Sequence, residues 1–386
     1  MNLKLKHPFR FLYFISFIFS IQYALVVYIN SSFLELSAGE KIVSLIFTIA
    51  SLLSILILLE MPRVLNRFGN YKTTIFFVLL NALALILLGT GKSSYIIFTF
   101  FVIYTVTNYC LILTRDVFIE NYTLEGKVGR TRGLFLTIIN LALVLAPSIA
   151  VFIITKTSYV GVYIVAGLFT LSSLFFIIPP LKNFKDPTYK RISVRETLKK
   201  ISGDINLKRI YFTEFLLCFF YAWMIIYSPI YLHQYKNFSW ESIGIIFTIM
   251  LIPFVLVDYP LGRLSDKIGE RKILTFGFFV VSFSTIIIFF IKTQNIFVWA
   301  LVLFTTRIGA AIIEVMDESY FFKKIHSSDA GLISFFRNMY PLAFVIAPLL
   351  AIPILLCVPH FKYLFLILGA IMLSGFFVTL RLQDVK

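Results

Sequence analysis

Twelve apolar runs, each about as long as a bilayer is thick, divide this 386-residue chain at clusters of charge. They lie near 11–29, 42–60, 73–91, 94–114, 133–155, 159–180, 210–232, 241–260, 273–291, 295–314, 330–357 and 361–380. A hydrocarbon core of about 30 Å needs about 20 apolar residues per helical span. Within lipid every backbone polar group has to be satisfied internally, so the runs are expected as helices. Composition agrees: 59% of residues are hydrophobic and 14% charged, whereas charged residues make up about a quarter of soluble domains. No small-residue cleavage site follows the first run, so it is expected to remain as a span.

The basic residues test the count independently. Alternate loops carry one lysine each: Lys41, Lys92, Lys156, Lys236, Lys292 and Lys362. Arg307 and Arg337 lie inside spans, and the other 27 of the 35 Lys and Arg fall on the side of the N-terminus. By the positive-inside rule both termini are then cytoplasmic. The formal charge of +16 reads as topology, and no nucleic-acid partner is expected.

The chain also repeats itself. Shifted by 200 positions, Arg63 falls on Arg263, Asn66 on Asp266, Arg67 on Lys267, Gly69 on Gly269 and Lys72 on Lys272. The fifth span reads ALVLAPSIA (142–150) and the eleventh AFVIAPLLA (343–351), both A-x-x-x-A-P-x-x-A. Ala142, Ala146, Pro147 and Ala150 thus match Ala343, Ala347, Pro348 and Ala351. Small residues at this spacing permit close helix packing, and each proline frees a carbonyl that can bend its helix. The expected domains are 1–181, a six-helix bundle; 182–209, a basic cytoplasmic linker; and 210–386, a second six-helix bundle. The linker reads as solvated, with an amphipathic helix on anionic headgroups as the alternative.

These residues resemble a known family. GRLSDKIGERK (262–272) is similar to the loop 8–9 copy of the G-x-L-a-D-r-x-G-r-r-k motif of the major facilitator superfamily, and 62–72 to its loop 2–3 copy. The fifth-span repeat resembles the family's g-x-x-x-G-P-x-x-G-G motif, common among its antiporters, and RIGAA (307–311) its R-x-x-x-G motif. Pro62 and Asn66 stand where the motif has Gly and Asp, span four lacks a mid-membrane Arg, and alanines replace the glycines of span five. The resemblance implies an all-α membrane protein with twelve transmembrane helices in two pseudo-symmetric six-helix bundles. It implies a gate motif made of Gly262, Arg263, Asp266, Lys267, Gly269, Arg271, Lys272, Asn66 and Gly69. In the family the motif of one half faces helix ends of the other. Asp266 is then expected at GRTRG (129–133), where Arg130 and Arg132 wait, and Asn66 at SSDAG (327–331), beside Asp329. The plainer alternative is that these residues shape a turn and hold topology.

Ionisable residues inside spans are costly and so informative. Glu214, Asp258, Glu314, Arg307 and Arg337 are the coupling candidates, all in the C-terminal half; an ion-pair network that only holds helices together is the alternative. Spans one, four, seven and ten line the cavity in the family, so Gln22, Tyr23, Tyr104, Asn108, Tyr221, Trp223 and Tyr227 are its cavity candidates. Each of them also suits an interhelical contact.

The scattered Cys and His offer no metal or nucleophile constellation, and with no catalytic pair in the spans an enzyme is not expected. With no G-x-x-x-x-G-K-S/T, ATP is not the direct driver, and no cofactor is expected. The expected function is secondary active transport of a small molecule across the plasma membrane by a proton-coupled monomer. The alanine-proline motif inclines it to efflux. Uptake of a polar or anionic nutrient, or a sensor or assembly partner that keeps the fold without transport, are the alternatives.

Overall fold

A computed structural model of the chain describes residues 8–27, 29, 30, 33, 34, 40–189 and 194–385. The basic residues Lys4, Lys6, Lys190, Arg191 and Lys386, read above as topology charges, lie outside the described residues, as does the side chain of Pro147. The helices of the first half are α1 (Pro8–Val27), α2 (Glu40–Phe68), α3 (Asn70–Thr90), α4 (Ser94–Tyr122), α5 (Val128–Lys156) and α6 (Tyr159–Leu181). A short helix, α7 (Val194–Gly203), follows. The second half holds α8 (Ile205–Ile230), α9 (Trp240–Ile268), α10 (Arg271–Phe290), α11 (Ile296–Lys324), α12 (Ala330–Arg337), α13 (Met339–Cys357) and α14 (Tyr363–Thr379).

Among the described residues, 11 helices are long and apolar enough to cross a membrane, α12 and α13 together counting as one. The twelfth, α14, has 17 residues, the lower end of what a bilayer core requires. The chain is an all-α, multi-pass membrane protein. Span eleven differs from the unbroken run expected: it is interrupted at Asn338, between α12 and α13. Pro341 has no N–H to give the carbonyl of Arg337 four residues back, which accounts for the break.

Capping residues start several helices where polar side chains precede an apolar run. The Ser158 hydroxyl accepts from Val160 N, 3.2 Å away, at the head of α6. The side chain of Asn295 accepts from Phe297 N at 2.8 Å before α11. Asp204 accepts from Asn206 N and Leu207 N at 2.9 and 3.0 Å before α8, and its carboxylate also meets Lys324 Nζ at 2.5 Å. Partial burial works against the charge of Asp204, but Lys324 and the two amides outweigh it and hold the carboxyl below its ordinary range.

The chain forms two compact units. One takes Met1–Thr123, Ile138–Thr197 and His326–Pro341; the other takes Leu124–Thr137, Leu198–Ile325 and Leu342–Lys386. Each unit therefore differs from a sequence half mainly by exchanging the start of span five for the start of span eleven. Inside the first, α3 packs on α4 and α6, α1 on α6 and α4, and α2 on α4. Inside the second, α10 packs on α11 and α14, α8 on α14 and α11, and α9 on α11. The two packing schemes are the same once the helices are paired in order. The alanines of both repeats are buried: Ala142, Ala146, Ala150, Ala343, Ala347 and Ala351. Residues four apart share one helix face, so each run presents a flat, small-residue stripe.

Candidate functional site

The loop motif closes a helix end. Asp266, in the last turn of α9, accepts from Gly129 N at 2.9 Å and from Arg130 N at 2.8 Å. Both amides belong to the first turn of α5, where unpaired N–H groups and the helix dipole favour an anion. Lys323 Nζ, near the end of α11, lies 3.3 Å from the same carboxylate. The approach depends on glycine: a Cβ on Gly262 would sit 2.3 Å from Gly129 O and 2.9 Å from Gly133 Cα. Asp266 thus meets GRTRG as expected, but through backbone N–H groups and not through Arg132. That guanidinium is fully buried elsewhere, 3.6 Å from Glu318 Oε2 and 3.1 Å above the Phe322 ring. Arg263, Lys267 and Lys272 are exposed.

Both motif copies end in the same turn. Gly69 has φ 76° and Gly269 φ 82°, left-handed values that a Cβ disfavours. An aspartate that follows the last helix of each half covers each turn. Asp186, after α6, accepts from Asn70 N at 2.7 Å; Asp384, after α14, accepts from Arg271 N at 2.8 Å. The Arg271 guanidinium adds a bond to Leu380 O at 2.5 Å. The start of the linker is therefore folded back, although Lys182, Asn183, Lys185, Asp186 and Thr188 stay exposed: Tyr189 is buried and its hydroxyl donates to Asp186 at 2.6 Å. This also corrects the expectation for Asn66, whose amide donates to Tyr189 O at 2.9 Å instead of meeting SSDAG. Beside Gly331 of that segment stands Thr197 of α7.

Further charges within the spans gather in small sets. Arg337 donates from Nε to Asp116 Oδ2 of α4 at 2.6 Å, so its acid comes from the first half of the chain and not from the C-terminal half as expected. Arg307, 3% exposed, lies 5.1 Å from the Phe220 ring and 6.0 Å from the Tyr221 ring of α8. Tyr221 Oη donates to Glu314 Oε2 at 3.1 Å. Arg307 and Glu314 of α11 thus share an aromatic side chain of the neighbouring helix. The third set is acidic: Glu214 of α8 lies beside Asp317, and Glu318 follows in sequence. Asp258 of α9 is fully buried. At the motif, burial pushes the Glu270 carboxyl above the usual carboxylate range, against the pull of Lys323, which bonds it at 2.5 Å.

The cavity candidates separate into two groups. Gln22 of α1 donates to Asn108 of α4 at 3.1 Å, with Tyr23 near Tyr104. Trp223 is fully buried and lies 5.1 Å from Phe219 and 5.6 Å from Tyr227 in a ladder of rings. Tyr227 continues it to Phe361, 6.2 Å away. Trp223 thus packs as core. A cavity of about 430 Å³ opens at the far end of α8, lined by Tyr231, Tyr235, Lys236, His360, Phe361 and Lys362 among others. Burial, with Lys362 nearby, lowers the Lys236 ammonium below its ordinary range.

A family model, Major Facilitator Superfamily, matches residues 12–339 and 243–386. The chain belongs to the major facilitator superfamily. A solved structure described as the human organic anion transporter MFSD10 (TETRAN) is similar over 98% of this chain and 100% of that one, with a TM-score of 0.81 and 14% identity. At that identity the likeness speaks for the fold. No curated protein sequence matches. The superfamily fold, its membership and its membrane transporter character thus agree with the expectation from the motifs.

Several buried groups of this superfamily member escaped the motif search. Asp116, Asp317 and Glu318 are all buried. In sequence each sits within about two turns of a basic loop, where charge is expected for topology alone. The available signal was the pairing of acids with bases at those helix ends, since topology calls only for the bases.

Proposed function

We propose that the chain is a secondary active transporter that moves a small molecule across the plasma membrane by alternating access, driven by protons, with both termini in the cytoplasm. The observation that carries this reading is the store of titratable acids inside the spans of one half: Asp258 is fully buried, and Glu214 is 8% exposed. Buried intramembrane acids are expensive, and proton relays in pumps and transporters are one of their established uses. Glu214, Asp258 and Glu314 are the proton-site candidates. In such a cycle the bonds from α5 to Asp266 would open and close on the basic-loop side, which makes Asp266 a latch. The repeated alanine-proline stripe inclines the direction towards export.

A second reading concerns the cargo. A guanidinium enclosed by Phe220 and Tyr221 suits an organic anion, held by charge and by ring stacking. The structural neighbour's own description, an organic anion transporter, is compatible with that chemistry. Reconstituted protein in liposomes loaded with a pH-sensitive dye, screened against a panel of organic anions and cations, tests both readings. Proton movement on adding one class supports transport and names the class. No response to any compound, in liposomes that hold folded protein, would favour a family member that does not transport.

A further inference from the structure

Asp317 carries an inference that rests on the proton-driven reading and sharpens it. Thr213 of α8 places its hydroxyl oxygen 2.8 Å from Asp317 Oδ1 and 3.0 Å from Ile210 O. A hydroxyl has one proton to donate, and a carbonyl oxygen can only accept. If Asp317 were a carboxylate, two acceptors would compete for that proton. If Asp317 is the neutral acid, it donates to Thr213 and Thr213 donates to Ile210 O, and both short contacts are satisfied.

The surroundings agree with the proton count. Asp317 is fully buried, and its Oδ2 has no hydrogen-bond partner among the described residues. A buried carboxylate in that position would be left half unsatisfied, which is costly. The charged groups acting on it, Glu214 of α8 and Glu318 of its own helix, are both acids. Cations of the region are engaged elsewhere. Arg132 of α5 faces Glu318, Lys323 faces Glu270 and Asp266, and Lys324 faces Asp204. From α9, which packs on α11, the buried charged group is Asp258, again an acid; from α10 and the turn before it, Glu270 is bonded to Lys323.

We propose that Asp317 is the proton carrier of the transport cycle, held here as a neutral acid that donates to the Thr213 hydroxyl. On ionisation the O–H bond of Asp317 breaks and the proton leaves to solvent. The Thr213 hydroxyl then turns from Ile210 O to Oδ1, while Ile210 O keeps its α-helical bond to Glu214 N–H. The exchange needs only a hydroxyl rotation, so it can follow wetting of the site without moving a helix.

Infrared spectra of the purified full-length protein in liposomes at neutral pH test the protonation. The wild type minus Asp317→Asn difference spectrum should contain the carbonyl stretch of one neutral carboxylic acid, shifting in D2O, and adding Asp317→Asn to Glu214→Gln should remove the same band. A difference spectrum without that band overturns the proposal. Asp317→Asn should melt no lower than the wild type, because its amide N–H replaces the acid O–H; a marked loss would mean the carboxylate was needed, and also overturns it. For coupling, the panel compound that the wild type carries is followed with the pH-sensitive dye. Asp317→Asn should exchange that compound while proton movement falls at least tenfold. Undiminished proton movement in Asp317→Asn refutes Asp317 as carrier, whereas a wild type that moves cargo without protons refutes the proton-driven reading itself.

Discussion

Asp266 and Gly129, 137 positions apart in sequence, are joined by a 2.9 Å bond from the amide of one to the carboxylate of the other. With Arg130 N on the second oxygen, the acid caps α5 from a different helix. An anion at a helix N-terminus in a partly buried setting contributes up to about 2 kcal/mol. Asp266→Ala should therefore lower the thermal stability of the detergent-solubilised protein by about 1–2 kcal/mol. Asp266→Asn, which keeps one acceptor but no charge, should fall between. Unchanged melting of Asp266→Ala would reduce the residue to a turn former.

Gly262 offers a packing test with an internal control. Its Cβ would overlap Gly129 O at 2.3 Å, whereas a Cβ on Gly244 of the same helix meets nothing within 4 Å. Gly262→Ala should destabilise by about 1–3 kcal/mol, the usual scale of overpacking. Gly244→Ala should be neutral or stabilising by about 0.5–1 kcal/mol, since alanine is the better helix former. Equal effects in thermal melts would show that α9 and α5 do not approach so closely.

The pair of Arg337 and Asp116, 2.6 Å apart with the acid fully enclosed, should behave as a unit. Removing one partner from a buried pair costs about 3–5 kcal/mol, because the other charge is stranded. Arg337→Met and Asp116→Leu should each be strongly destabilising, and the double variant should recover much of the loss. Additive losses in the double-mutant cycle would mean the two residues act separately.

Asp204 predicts a pH dependence. Its folded-state carboxyl is lowered by Lys324 and the α8 amides, so its contribution is present above the unfolded carboxylate value, about 3.9, and is lost as pH falls through the lower folded value. The stability deficit of Asp204→Ala should be present at neutral pH, at about 1 kcal/mol for a lost cap. It should shrink in strong acid, where the wild-type carboxyl is also protonated. A deficit independent of pH would mean that charge has no part in it.

Orientation is tested by cysteine labelling in intact cells. Single cysteines at Lys92, Lys156 and Lys292 should react with an impermeant reagent added outside, and those at Lys72, Lys199 and Lys272 should not. Outside labelling at position 199 would overturn cytoplasmic termini.

The spans and the duplication were legible in the chain because length, apolarity and repeat offset are one-dimensional quantities. The turns at Gly69 and Gly269 could be read for the same reason, since a glycine after a helix and before a basic cluster has few other uses. Partners were another matter. Arg132 stands two residues from Arg130, yet it serves Glu318, and Arg337 serves an acid 221 positions away. The linker aspartate Asp186 turned out to be structural, in a stretch whose composition resembled solvated coil.

The sequence by itself determined the number of spans, the internal repeat, the clustering of basic residues on alternate loops, and which residues would be expensive to bury. The tertiary structure alone decided which of those residues meet. Helices this apolar carry hydrophobic side chains on every face, so periodicity does not say which face turns inward. Rotation about the axis and the crossing of neighbours set the partner of each charge. It is by that rotation that Thr213 falls between Asp317 and Ile210 O, and that Asp266 finds two backbone amides where the sequence offered it arginines.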